Sequence, residues 1–453
     1  MKLELIIKFL LFFGSPSILS IFATSVDFSA AFNGVLSTCF ADGNCMTLLE
    51  NPAASQATLN NWLNSYLSGK ITYGDGKNGS TEYTVIFDSV LNIVGQPGNF
   101  LLANCPKNAK NAKGKDISCR KNKMQIMEIG NLQCDKDFNQ TTLDNATLNM
   151  RICEDSLQFG GQQDNKTKLL LVDGEKFNQF DGILNSGAPK SPKADGVFSL
   201  AYSDDSYKLQ SGAQYLVTGK QEQPVVSIYM QKFDKLDPLS GTKGILNFGL
   251  VNNENCVQWG QPQSIVEGAR RWKISMEAEK ILNETTETFK DQEALISTTD
   301  IFMFAPENFT RDILDKLKPV KDNWFFKFLR KIKLSKLSPK DVMVQCPSAK
   351  ELEQLPTIKF TFGENGKSFE FKPNEYIMPL VTPKMFGKNF KIFNWCHVLI
   401  RSRPDPAMLA RNLLPENNQN QWILGQAFYN KACVAFNYKD STVSLAEAWT
   451  QEK

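Results

Sequence analysis

The stretch ALISTTDIFMFAP, from Ala294 to Pro306, decides how this chain is read. An apolar run leads into a polar knot at Ser297, Thr298, Thr299 and Asp300, and a second apolar run ends at Pro306. This is the rhythm of a buried strand entering a tight turn and leaving it as another strand. Binding and catalytic groups are often carried on such turns. Here the residue at the head of the turn is a serine. A nucleophilic serine needs an adjacent base, and the only histidine in 453 residues is His397, which nothing in the sequence places near Ser297.

The same rhythm recurs outward from this stretch. YTVIF (83–87), KLLLV (168–172), PVVSIYM (224–230), GILNFGL (244–250), TIKFTF (357–362) and CVAFNY (433–438) are short β-type runs between Gly, Asn, Asp and Pro turns. Such spacing predicts a mostly antiparallel β protein. ATLNNWLNSYL (57–67) has helical spacing. The hydrophobic content of 42% supports a sizeable core. The charges, 51 basic against 48 acidic, give a net +3 and no argument for a nucleic-acid partner.

The first residues read as a targeting segment. MKLELIIK supplies basic residues, FLLFFGSPSILSIFA is apolar but broken by Gly14 and Pro16, and Ala23-Thr24-Ser25 offers small residues for cleavage. A secretory signal over 1–25 is expected, with no membrane span after it. The ten cysteines then read as disulfides in an oxidising compartment. No CxxC pair is present, so neither a metal site nor a cofactor is expected. Cys39 and Cys45 in CFADGNC suggest a small local loop. Six N-x-S/T sequons, at Asn78, Asn139, Asn145, Asn165, Asn283 and Asn308, are candidate glycosylation sites of a secreted, extracellular chain. WFFKFLRKIKLSKLSPK (324–340) is basic and amphipathic. Through Lys327, Arg330, Lys331 and Lys333 it offers contact with an anionic surface, although the same pattern suits a surface helix packed on the β body.

Several phrases, in order, carry a resemblance. ADGVFSLAYSDDS (194–206), QPVVSIYM (223–230), GILNFGLVNNENC (244–256), RRWKISMEAEKI (270–281), LPTIKFTFG (355–363) and WILGQAFYNKACVAFNYKDSTVSLAEA (422–448) resemble successive segments of the pepsin-family aspartic peptidases. The resemblance implies a bilobal pepsin-like fold, two antiparallel β-barrel-like lobes with a central cleft. It divides the chain into a signal at 1–25, an N-terminal extension at 26–80 that resembles a propeptide, one lobe at 81–220 and a second at 221–453. It also implies two D-T-G turns whose aspartates share a proton and a water.

Aligned with the family's A-I-V-D-T-G-T-S, Ser297 falls on the aspartate, Thr298 on the threonine, Thr299 on the glycine and Asp300 on the next position. For the first lobe, LNIVGQPGNFLLANCPKN (91–108) resembles the family's G-x-P phrase. That register places Cys105 at the aspartate and is preferred. A rival register places Asp88 and Ser89 of IFDSV (86–90) at D-T, but Val90 stands where glycine belongs. In the preferred register both aspartates are replaced, by Cys105 and Ser297, and Asp88 and Asp300 are poor substitutes. DNATLNMRIC (144–153) has neither tyrosine nor glycine, so the hairpin flap looks shortened or gone. The resemblance implies Cys346–Cys396, Cys256–Cys433 and Cys119–Cys134. Cys105 and Cys153 are then left, and a bond between them would tie the former catalytic position to the flap stub. The expected function is a non-proteolytic, secreted glycoprotein binding a peptide, a protein or another ligand in the cleft. An active endopeptidase with atypical residues and a structural or storage glycoprotein are the alternatives.

Overall fold

A computed structural model of the protein describes residues 56–62, 66–74, 81–90, 99–103, 133–141, 147–159, 162–173, 195–203, 209–218, 224–231, 242–269, 271–300, 302–318, 343–363, 366–379, 384–385, 388–389, 395–402 and 420–449. The expected signal, Cys39, Cys45, Cys105, Cys119, Asn78, Asn145 and the basic segment 324–340 lie outside the described residues. Asn139 and Asn165 lie in strands whose side chains are not described there.

The protein is mostly β, as the resemblance implies. Among the described residues the largest sheet has 14 strands. It begins with β1 (Gln56–Trp62), β2 (Tyr66–Tyr73), β3 (Thr81–Asp88), β4 (Asn99–Ala103), β5 (Gln133–Thr141), β6 (Thr147–Phe159), β7 (Gln162–Asp173) and β8 (Gly196–Ser199). It continues through β9 (Val225–Met230) and β10 (Thr242–Phe248) to the closing strands Ala432–Asn437 and Thr442–Ala448. A separate 7-stranded sheet is built around Lys273–Leu282 and Thr285–Ile296.

One expectation about the N-terminal part changes. The described residues within 57–67 are strand and not helix: β1 and β2 form an antiparallel pair, with Trp62 opposite Tyr66. β1 also pairs with β10 from Gln56–Asn247 to Asn61–Thr242, and β2 pairs with β3. The helix-like spacing of Leu59, Trp62 and Tyr66 is overridden by cross-strand partners on both sides of β1, since strand formation is decided by tertiary pairing more than by local preference.

Within the two sheets the chain repeats one small arrangement. β3 pairs parallel with β8, from Val85–Gly196 to Asp88–Ser199, and β8 pairs antiparallel with β4. In the second sheet Thr285–Ile296 pairs parallel with Gln421–Leu424, which pairs antiparallel with Met303–Ala305. Each arrangement is a strand running into a turn, held by a later parallel strand. Tyr83, Val85, Ile86 and Phe87 on one side, and Ala294, Leu295 and Ile296 on the other, are buried. The apolar run before each turn is thus the core of its half. Trp272 and Tyr438 tie the halves further: the indole Nε1–H and the Tyr438 hydroxyl both donate to the Leu200 carbonyl, at 2.7 and 2.8 Å.

The disulfides are Cys256–Cys433, Cys346–Cys396 and Cys134–Cys153. The last corrects both expected pairings of Cys134 with Cys119 and of Cys153 with Cys105. Its cause is register: Cys134 of β5 lies directly opposite Cys153 of β6, with Cα atoms 4.0 Å apart. Directly opposed residues of an antiparallel pair bring their Cβ atoms to the separation a disulfide needs. Residues 147–153, within the segment 144–153 where the flap looked shortened or gone, therefore belong to a paired strand cross-linked to its neighbour.

Candidate active-site turns

The two strand ends meet. Thr298 Oγ1 accepts the Ser89 N–H at 2.9 Å and donates to the Phe87 carbonyl at 2.9 Å. In the reverse direction Ser89 Oγ accepts the Thr298 N–H at 3.1 Å and donates to the Ile296 carbonyl at 2.9 Å. Four bonds related by an approximate twofold thus join residues 87–89 to residues 296–298. All of Ser89, Ser297 and Thr298 are fully buried.

This geometry relates the two turns position by position. Ser89 matches Thr298, so Asp88 in the first turn stands where Ser297 stands in the second. This pairing sets Asp88, of the rival register, in the matching place; Cys105, of the preferred register, lies outside the described residues. The missing glycine argued against Asp88 because a glycine is required where φ is positive. Among the described residues the non-glycines with positive φ are Gln258, Asn283, Asp291 and Ser441. Val90 and Thr299 are not among them, so neither turn calls for glycine on that ground.

Asp88 Oδ1 accepts the Val90 N–H at 2.8 Å and the Thr299 hydroxyl at 3.3 Å. The second turn is arranged differently. Ser297 Oγ donates to Asp300 Oδ2 at 2.7 Å and accepts the backbone N–H groups of Asp300 at 3.1 Å and Thr299 at 3.3 Å. Thr299 Oγ1 lies 3.5 Å from Ser297 Oγ. The result is a chain of polar contacts from Asp88 through Thr299 and Ser297 to Asp300, with both carboxylates buried. The proton of Ser297 therefore points to Asp300 and away from Asp88. His397 lies elsewhere, in the strand Trp395–Val398 between Met343 and Met378 of a 3-stranded sheet.

Behind the second turn, Gln426 holds the loop from below. Its Nε2 donates to the Thr298 carbonyl at 2.9 Å, and its backbone N–H donates to the Asp300 carbonyl at 2.6 Å. Gly425 is needed for close approach: a Cβ there would lie 2.2 Å from the Asp300 carbonyl oxygen and 2.3 Å from that of Phe302. The structure thus brings together Asp88, Ser297 and Asp300 among the residues singled out in the sequence. Ser89 and Thr299, which the alignments had placed in the turns without a role, join them, and Gln426 is added. Thr299 and Gln426 have roles visible only once the turns are packed.

Among the described residues no helix is long and apolar enough to cross a membrane. No group of three or more His, Cys, Asp or Glu side chains among them could hold a metal ion. No curated protein matches the chain at a significant level. The family model for eukaryotic aspartyl proteases matches residues 144–448, a span that contains the Ser297 turn but begins after the Asp88 turn. With that match over most of its length and two strand-end turns held by reciprocal hydroxyl bonds, the chain belongs to the eukaryotic aspartyl protease family.

Proposed function

We propose that this protein is a secreted, glycosylated member of the family that does not cleave peptides and acts by binding an extended peptide, or another ligand, between its two halves. One observation carries the reading. The position opposite Asp88 holds the Ser297 hydroxyl, whose proton is directed at Asp300. Acid proteolysis of this kind needs one carboxylate as base on a water and a second, protonated, to polarise the scissile carbonyl. A serine hydroxyl is far too weak an acid to share a proton with Asp88 in that way. An extended ligand would be recognised by main-chain bonding to strand edges. The basic segment with Lys327, Arg330, Lys331 and Lys333 is a second surface in this reading, suited to anionic groups.

A second reading has one observation in its favour. Asp88 is kept, and the polar chain through Thr299 and Ser297 links it to the Asp300 carboxylate. The atypical endopeptidase would use this pair. Incubation of the purified protein with a denatured protein substrate across acidic pH decides between them. No cleavage is expected. Cleavage that a statine-type transition-state analogue blocks would overturn the binding reading. A library of extended peptides that yields no binder would instead favour the structural or storage role.

A further inference from the structure

Two of the six sequons lie where both their exposure and their hydroxyl are described, and they differ in kind. Asn283-Glu284-Thr285 forms the tip of the hairpin in which Leu282 pairs with Thr285. Asn283, Glu284 and Thr285 are all exposed, and Asn283 takes the left-handed φ of 55° that asparagine tolerates in a two-residue turn. Asn308-Phe309-Thr310 lies in the first turns of the helix Glu307–Asp315. Asn308 is exposed, but the rest of this sequon is shut away. Phe309 is fully buried, with its ring 4.6 Å from Trp422 and 4.9 Å from Phe289 between centroids. Thr310 is 1% exposed, and its hydroxyl faces the Pro306 and Glu307 carbonyls at 3.4 Å.

The sequon is read through its hydroxyl as well as its amide. A transferase cannot reach the Thr310 hydroxyl without undocking Phe309 and unwinding the helix. We propose that the two sites are modified under different rules. Asn283 is glycosylated almost completely, because folding leaves its sequon at the surface. Asn308 is glycosylated only on chains whose helix has not yet docked, so its occupancy is set by competition between folding and transfer. The step is the same at both: the side-chain amide nitrogen attacks the anomeric carbon of a lipid-linked oligosaccharide diphosphate. The new C–N bond replaces the C–O bond to the diphosphate, which leaves with the lipid, and the amide proton passes to the transferase. This inference rests on the secretory part of the proposed function.

The test expresses the full chain in a secretory cell line and measures occupancy at each sequon by glycopeptide mass spectrometry, with and without a thiol reductant that delays disulfide formation. Occupancy at Asn283 is expected to stay near complete in both conditions, and occupancy at Asn308 to start low and rise severalfold with reductant. Trp422→Ala, which lies in neither sequon and removes the platform under Phe309, should raise Asn308 occupancy without reductant. Asn308→Gln should delete only the glycan that reductant induces, and Asn283→Gln one that is always present. Equal occupancy at the two sites, unmoved by reductant and by Trp422→Ala, overturns the proposal, as does an empty Asn283 on a chain glycosylated elsewhere. A chain with no glycan at any of the six sequons overturns it through the secretory reading itself.

Discussion

Ser89 and Thr298, 209 residues apart in sequence, each accept the other's backbone N–H with a side-chain hydroxyl. Each hydroxyl then donates to the carbonyl two residues before its partner. The two turns are thereby fixed as a unit, whatever stands beside them. Thr298→Val keeps the shape and removes the hydroxyl. It strands the Ser89 N–H and the Phe87 carbonyl inside the core. A cost of about 2–4 kcal/mol is expected, since each buried group left unsatisfied costs roughly 1–3 kcal/mol. Chemical denaturation checks this against Thr361→Ala, which removes a hydroxyl from a half-buried pair with Ser368. Equal losses in the two variants would refute the linkage.

The proposed loss of a carboxylate from the second turn is testable by introducing one into the same frame. Ser297→Asp combined with Asp300→Thr returns a carboxylate to the second turn and removes the acceptor that now binds Ser297. Acid proteolysis is expected to rise above the parent by on the order of 10²-fold or more, the usual worth of a positioned acid or base. Adding Asp88→Asn to that variant should return cleavage to the parent level. Proteolysis that ignores Asp88→Asn would assign the chemistry to other groups.

The fold and the site were legible to different depths. The second turn was readable because ALIS and IFMFAP are long apolar flanks that fix its register. The first was harder to read because the G-x-P phrase at 95–97 drew the register to Cys105 and Val90 stood in place of the glycine after Asp88 and Ser89, although the backbone at Val90 needs no left-handed φ. The bond of Cys134 to Cys153 depends on which residues face each other across β5 and β6, a register that includes an irregularity between Cys134 and Asp137. No spacing rule contains that. Gln426 lies in the quoted segment 422–448, but its grip on the Thr298 carbonyl required the packed loop.

Peptide mapping of the unreduced protein should recover Cys134 linked to Cys153. Replacing both by serine should cost about 3 kcal/mol, the value expected for closing a loop of this size, here a sequence separation of 19. Recovery of a Cys119–Cys134 peptide would sink the β5–β6 register as well as the bond.

The buried tyrosines predict an alkaline limit. Burial raises the phenols of Tyr73, Tyr376, Tyr429 and Tyr438 above the ordinary value of 10.0. Above pH 10.0 the unfolded chain therefore gives up protons that the native chain retains. Stability is intact below that pH and falls as pH rises through the raised native values. Titration of tyrosine absorbance should show these four phenols ionising only as the protein unfolds. Smooth ionisation near pH 10 with the native circular dichroism retained would contradict it.

The pairing of β1 with β10 sets a timetable for synthesis. Gln56 lies opposite Asn247, so 247 − 56 = 191 residues must be made before that bond pair can close. At roughly 5–20 residues per second this takes about 10–40 s. Throughout that interval β1 and β2 have emerged while the strand that completes their sheet does not yet exist. An open strand edge held for so long is a template for pairing with the wrong chain. The first strands of this protein thus place an aggregation hazard at the beginning of its translation, and its resolution near the middle.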